Sequence, residues 1–465
     1  MHSIRRFFLI ASVIFATGCR IDTSQPVPAT AQATSATAAT TAAVSATSLS
    51  VVSNGTTGET AVADNFDGTP GIETNPHPAG ISGDVVGAFR VFCTAGQISK
   101  DDPLFYPGQP GASHLHQFFG NTGTNASSNY QSLRTSGGTT CGQSSTPFNR
   151  SAYWYPAMLD GIGNVLKPDY LNLYYKRNPL NDPMCSLSSV QHLGQCVDLP
   201  NGIRFAFGYN MYTGTNGITD PNNSEHWSIR YECWASEDGT VSNGTATGRY
   251  WTISDVAAAG CPVGARLMIL ANSPNCWDGV NLDTADHRSH VAWGTGTYYA
   301  GQFFNACPVD HPYMIPDMEV QIAFTVDANL AKWHVSSDEM VPGAQNGSTF
   351  HMDYWEGWSP TIKATWHQYC INGHLSCASG DLGNGTDIIA GGEPFGGWTK
   401  HQLVSLASLG MTNGMPTTTT TPPTTTPTTQ VCPDGSVIPL TQTCPVSAPS
   451  PTPKTGGGKA VGRKK

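Results

Sequence analysis

Ten of the chain's 13 cysteines lie between residues 93 and 377 (Cys93, Cys141, Cys185, Cys196, Cys233, Cys261, Cys276, Cys307, Cys370 and Cys377), and no two of them form a C-x-x-C pair. Zinc ribbons need that spacing, so none is expected. Cys432 and Cys444 lie near the C-terminus and Cys19 near the N-terminus. Setting Cys19 aside leaves 13 − 1 = 12, an even set, which in an exported chain reads as a disulfide framework. Short separations make Cys185/Cys196 and Cys370/Cys377 the local loops to expect, while the other partners cannot be derived from spacing.

Export is expected from the first residues. Arg5 and Arg6 precede the apolar run FFLIASVIFA, which is too short to span a bilayer. The run ends in ATGC, small residues before a cysteine, so residues 1–19 read as a lipoprotein signal peptide with Cys19 lipidated. Arg20 offers no acidic retention signal, which favours the outer membrane or cell surface, and otherwise a periplasmic or extracellular location.

Composition divides the rest of the chain. Residues 20–80 are rich in Ala, Thr, Ser and Val with few large apolar side chains, and read as a disordered tether. Residues 413–430 read as a Thr/Pro linker, 431–446 as a small disulfide hairpin around an Asp-Gly turn, and 447–465 as a flexible basic tail. Between them, residues 81–412 form the main domain. Only 12% of the chain is charged and its net charge is −10, with no basic stripe before the tail, so nucleic acid is not an expected partner.

Within the domain, VVGAFRVFC, YLNLYYKR, IRFAFGYNM, HWSIRYECW, ARLMILAN and MEVQIAFTV read as strands. In the last, Val320, Ile322 and Phe324 share a face. One helix is expected at SPTIKATWHQYCI, capped by Ser359, with Ile362, Trp366 and Cys370 recurring every four residues. The expected fold is therefore mainly β, a sandwich or jelly-roll-like domain with one C-terminal helix, stapled by disulfides and flanked by disordered tethers.

Three segments carry candidate chemistry. If HLHQF is a strand, His114, His116 and Phe118 point one way, which puts two imidazoles about 7 Å apart on one face. Such a pair can ligate a metal or grip a ligand, although two core histidines are the plainer reading. The segment CWDGVNLDTADHRSHVAW gathers Asp278, Asp283, Asp286, His287 and His290 in a loop, with Arg288 able to offset a carboxylate or bind an acid group. An Asp-rich turn that caps backbone donors would look the same. The segment HMDYWEGW sets His351 and Asp353 on one side if extended, then Glu356 between Trp355 and Trp358. Exposed tryptophans beside a carboxylate suit sugar rings. A facial iron triad is disfavoured, because no arginine follows Arg288 until Arg463 to hold an oxoacid cosubstrate. The chain has no G-x-S-x-G elbow, H-E-x-x-H helix, phosphate loop or dinucleotide fingerprint.

Taken together, GAFRVFC, DDPLFYPGQPGASHLHQFFGN, SAYWYPAML, NSPNCWDGVNLDTADHRSHVAW and CPVDHPYMIPDMEVQIAF resemble the secreted family called domain of unknown function DUF1996, over residues ~85–375. The positions that fit its pattern are His114, His116, Asp278, Asp286, His287, His290, His311 and the His351/Asp353 pair. The resemblance implies export and a cell-wall or polysaccharide context, since some fungal members carry carbohydrate-binding modules, without implying a reaction.

The expected function is action on cell-wall or environmental polysaccharide, as a hydrolase or lyase, through a His/Asp cleft. His114, His116, Asp278, His287, His290 and Asp353 are the catalytic candidates. Arg134 and Lys176 are candidates to neutralise a uronate, and Trp355, Glu356 and Trp358 to contact sugar. His114, His116, His351 and Asp353 are the metal candidates. The cofactor is left open, with one divalent ion as the choice the pattern offers. The competing expectation is a non-catalytic glycan-binding or adhesive lipoprotein, attached to the membrane only by its lipid, in which tryptophans bind and histidines are structural.

Overall fold

A computed structural model describes residues 58–76, 78–214, 228–299, 302–391 and 402–416, with the short backbone segments 429–431 and 437–439. The expected signal peptide, Cys19, the tether up to residue 57, most of the Thr/Pro linker, the Cys432/Cys444 bridge and the basic tail lie outside the described residues.

Nine strands build two sheets: β1 (Gly87–Cys93), β2 (His116–Gly120), β3 (Ala152–Pro156), β4 (Tyr170–Arg177), β5 (Arg204–Gly208), β6 (Ile229–Trp234), β7 (Arg266–Asn272), β8 (Asp317–Thr325) and β9 (His351–Trp355). The larger sheet has the order β6-β7-β8-β4-β1, with a two-residue strand added at each edge. The smaller has the order β5-β9-β3-β2 and ends on Ile98–Ser99. Pairing is antiparallel throughout the smaller sheet.

Strand alternation explains why the two sheets stack. Val91, Leu173, Ile269, Val320, Ile322 and Phe324 leave the larger sheet on the same side and enter one core with Phe119, Tyr153, Tyr155, Phe205, Met352 and Tyr354 of the smaller sheet. Hydroxyls cross this core: Tyr153 and Tyr175 are 2.6 Å apart, and the indole Nε1 of Trp358 donates to Tyr175 Oη at 3.0 Å. The buried phenols thereby satisfy one another. The result is the mainly β, sandwich-type domain that the sequence leads one to expect.

The C-terminal helix covers Pro360–Trp366 and continues as a π turn over His367–Ile371, with Ser359 capping it. Five disulfides staple the domain: Cys93–Cys141, Cys185–Cys196, Cys233–Cys261, Cys276–Cys307 and Cys370–Cys377. Both local loops expected from spacing are among them. Five bridges fit an oxidising, exported location. No helix among the described residues is long and apolar enough to cross a membrane.

Two boundaries differ from expectation. The ordered body begins well before residue 81: Ile72–Thr74 pairs with Thr386–Ile388, Phe66 packs edge-on to Phe148, and Asp64 ion-pairs with Arg134. A few well-placed side chains suffice there because the domain supplies the partner surface. At the other end, the backbone N–H of Leu115 donates to Gly414 O at 2.8 Å, so the body extends past residue 412. Thr429–Val431 pairs antiparallel with Val437–Pro439, flanking the Asp-Gly turn of the expected hairpin.

Candidate functional site: a buried histidine and aspartate cluster

The smaller sheet has a second face, turned away from the sandwich core. On β9, Met352 and Tyr354 enter the core, so His351, Asp353 and Trp355 take the other side. On β2 the same alternation sends Phe119 inward and His116 and Phe118 outward. In the ladder His116 lies opposite Pro156, and Asp353 lies opposite Trp154 on one side and Ala206 on the other. Gly208, opposite His351, has φ +87°, and a Cβ there would meet the Phe350 carbonyl oxygen at 2.8 Å. Only glycine allows β5 to end so close to His351.

Three imidazoles converge on this face. Ring centroids are 4.3 Å apart for His114 and His116, 5.1 Å for His114 and His351, and 6.2 Å for His116 and His351. Their ligand atoms lie within 4.8 Å of one another, as do those of Asp102, His116 and Asp353, so either group could hold a metal ion and His116 belongs to both. All five residues are buried.

Hydrogen bonding orients these groups. His116 Nδ1 lies 3.1 Å from Asp101 O and His351 Nδ1 lies 3.0 Å from Thr349 O. With Nδ1–H donating to a carbonyl, each ring keeps its Nε2 lone pair for the cavity, as metal-ligating histidines do. Asp102 Oδ1 accepts from the backbone N–H groups of Leu104 and Phe105 at 2.8 and 2.9 Å. The Nε2 atoms of His114 and His116 and both carboxyl oxygens of Asp353 are buried without a hydrogen-bond partner among the described residues. Buried polar atoms are rarely left so, and several gathered in one cluster indicate a site built for a ligand.

Electrostatics agree with the geometry. Burial, with His116 and His351 adding to it, holds His114 well below the usual histidine range, and burial pushes His351 down to about 3. Burial, reinforced by the Asp102 carboxylate and opposed by Arg288, raises Asp353 well above the carboxylate range. Neutral imidazoles beside carboxyls that need a cation are what a divalent ion would meet.

The cluster opens into a cavity of about 300 Å³ lined by Asp102, Phe105, Tyr106, Tyr212, Arg288 and His351, among others. The family described as domain of unknown function DUF1996 matches residues 102–358, more than half of the chain, and that span contains every one of these side chains. The chain belongs to the DUF1996 family. No curated protein and no solved structure matches it.

Other expected site residues of the DUF1996 domain sit elsewhere. Asp278 closes an Asx turn, accepting from Val280 N and Asn281 N at 2.8 and 2.9 Å. His290 has both ring nitrogens engaged, by Thr284 Oγ1 and Arg204 O, each at 2.9 Å. His287 pairs with Asp283 at 2.7 Å and meets the far side of the cavity wall, edge-on to Phe105. The structure thus separates these three catalytic candidates from the cluster. Asp286 caps the backbone N–H groups of Arg288 and Ser289, and the loop's product is the placement of Arg288 at the cavity.

The sugar-contacting candidates also need correction. Trp358 and Glu356 are 0% exposed and Trp355 6%, so Trp355 and Trp358 are not an exposed pair. Trp358 lies in the sandwich core. Glu356 accepts from Gly202 N, Trp358 N and Lys363 Nζ. Trp355 lies beneath the Arg204 guanidinium. Arg134 is fully buried against Asp64 and the Gly357 carbonyl, and Lys176 pairs with Glu319 on the larger sheet. Neither cation reaches the cavity. Asp102, Phe105, Tyr106 and Tyr212 are lining residues that sequence reasoning missed. Asp102 had a signal, in the DDP turn that opens the loop leading to His114.

Proposed function

We propose that this exported DUF1996 protein acts on polysaccharide through a divalent metal centre held by His114, His116 and His351 with the carboxylates of Asp102 and Asp353. The observation that carries the proposal is that the unpartnered Nε2 atoms of His114 and His116 and the unpartnered Asp353 carboxyl belong to two clusters of ligand atoms that share His116. An ion there would polarise a substrate oxygen or activate a bound water, and the carboxylates would balance its charge. Support for a sugar substrate comes from Phe105, Tyr106 and Tyr212, flat faces beside acidic groups, which suit the apolar side of a pyranose ring. In this reading Cys19 tethers the domain to the outer membrane or cell surface, and the mass of the mature N-terminal peptide tests that separately.

The test is elemental analysis of the full-length protein beside His114→Ala/His116→Ala, followed by a screen for reducing or unsaturated ends released from polysaccharides with and without chelator. One equivalent of divalent metal, lost in the double variant, together with chelator-sensitive product is the expected result. Absence of metal from both proteins refutes the metal centre. Metal without product from any polysaccharide refutes the proposed reaction.

A further inference from the structure

Both cations expected to neutralise a uronate are held away from the cavity, yet the cavity has a cation of its own. Arg288 lines it, placed by the Asx loop at Asp286. Its terminal nitrogens donate to Gly208 O at 3.2 Å and Tyr209 O at 3.0 Å, which fixes the guanidinium plane. A guanidinium has five N–H groups, so these bonds leave three. One of the three, Nε–H, is buried and meets no acceptor among the described residues. Nε–H with an adjacent terminal N–H is the planar fork that grips a carboxylate through two parallel bonds.

The carboxylates already present do not fill that fork. No ion pair joins Arg288 to an acidic side chain among those found in the described residues, and both Asp353 oxygens stay unpartnered although Arg288 and Asp353 feel one another's charge. A guanidinium and a carboxyl group therefore share a buried space with no hydrogen bond between them. Arg288 feels the charge of both Asp353 and Asp286, yet its Nε–H meets no acceptor among the described residues, and a buried donor left unpaired is costly. The missing partner is an acceptor that a ligand carboxylate would supply.

Size and walls narrow the choice. At about 300 Å³ the cavity is at the small end of ligand pockets and suits one sugar unit. Aromatic faces from Phe105 and Tyr212 suit its ring. We infer that the cavity selects a uronic acid unit, with Arg288 binding the sugar carboxylate and the metal centre facing the ring. The inference rests on the metal-centre reading above, because the same cavity is taken to hold the substrate.

The experiment is calorimetric titration of the metal-loaded full-length protein with D-glucuronate, its neutral analogue D-glucuronamide, and D-glucose, with metal content measured on the same samples. Glucuronate is expected to bind about tenfold or more tighter than either neutral sugar, the range a charge-assisted hydrogen bond gives. Arg288→Gln is expected to erase that preference while metal stays at one equivalent, and Arg288→Lys, which keeps the charge and loses the fork, to fall between. Because Arg288 also holds the 208–209 backbone, melting curves accompany both variants. The comparison of glucuronate with its amide needs no variant and stands even if Arg288→Gln fails to fold. Equal binding of glucuronate and glucuronamide overturns the inference, as does a preference that Arg288→Gln retains, which would assign the carboxylate to the ion. Metal bound with no uronate preference removes this inference alone. A wild-type protein without metal removes the metal-centre reading and this inference with it.

Discussion

His116 and His351 sit on strands that do not touch, with β3 running between them, yet their ring centroids are 6.2 Å apart. Pro156 of β3 lies opposite His116 in the ladder. Because the pair belongs to separate strands, an ion bound there would tie β2 to β9. Saturating divalent metal at about 100 times its Kd should stabilise the protein by about 2.7 kcal/mol. Melting curves with and without chelator check this, and the response should vanish in His114→Ala/His116→Ala.

Asp353 should show opposite signs in the two metal states. Its carboxyl is fully buried, and neither oxygen has a partner among the described residues. An unsatisfied buried group costs about 1–3 kcal/mol, and more when charged. Asp353→Asn should leave the metal-free protein as stable or raise its melting point by a few degrees at neutral pH, while abolishing the gain from metal. A uniform loss of stability in both states would contradict this account.

Trp358 should behave as core and not as a sugar platform. It packs edge-on against Phe89, Tyr175 and Trp366 in the space between the sheets. Truncation to alanine there should cost about 3–5 kcal/mol, read by urea denaturation. Trp358→Phe, which keeps much of the volume and loses only the bond to Tyr175, should fold and keep whatever glycan binding the wild type has.

His367 gives the fold an acid limit independent of the metal cluster. Burial pushes it down to about 3, with Asp198 opposing and Arg177 and Lys363 assisting, and its Nε2 accepts the Leu199 N–H. An unfolded histidine titrates near 6.5. Between 6.5 and about 3 the unfolded chain therefore holds a proton that the folded chain refuses. The stability is complete above about 6.5 and is lost as pH falls toward 3. Urea denaturation from pH 7.5 to 4.5 should show that decline, and His367→Gln should make it shallower, with the depressed His114 and His351 supplying the rest.

How far the sequence discloses the molecule depends on which face a strand shows. The strands of the larger sheet were legible because residues such as Val320, Ile322 and Phe324 alternate with Glu319 and Gln321. HQFFG, AYWYP and HMDYW are buried on both faces, so no alternation marks them; the first and last could be read only as conditional strands, and AYWYP was not read as a strand. His114, His116, His351 and Asp353 stood out by spacing alone. The Asp278–His290 segment misled because capping carboxylates and catalytic ones have the same composition. Arg134 and Lys176 looked available because their partners, Asp64 and Glu319, are far away in sequence. Tryptophan spacing carried no sign of whether a ring faces solvent or core.

The alternation on β9 divides one short segment between two trades. Met352 and Tyr354 fill the sandwich, and His351 and Asp353 arm the opposite side. A single-residue insertion or deletion within 351–355 would exchange the sets, burying imidazole and carboxyl between the sheets and turning methionine and tyrosine toward the ligand. Point substitutions can retune this segment one position at a time. Its length cannot drift without losing the core and the chemistry in the same event.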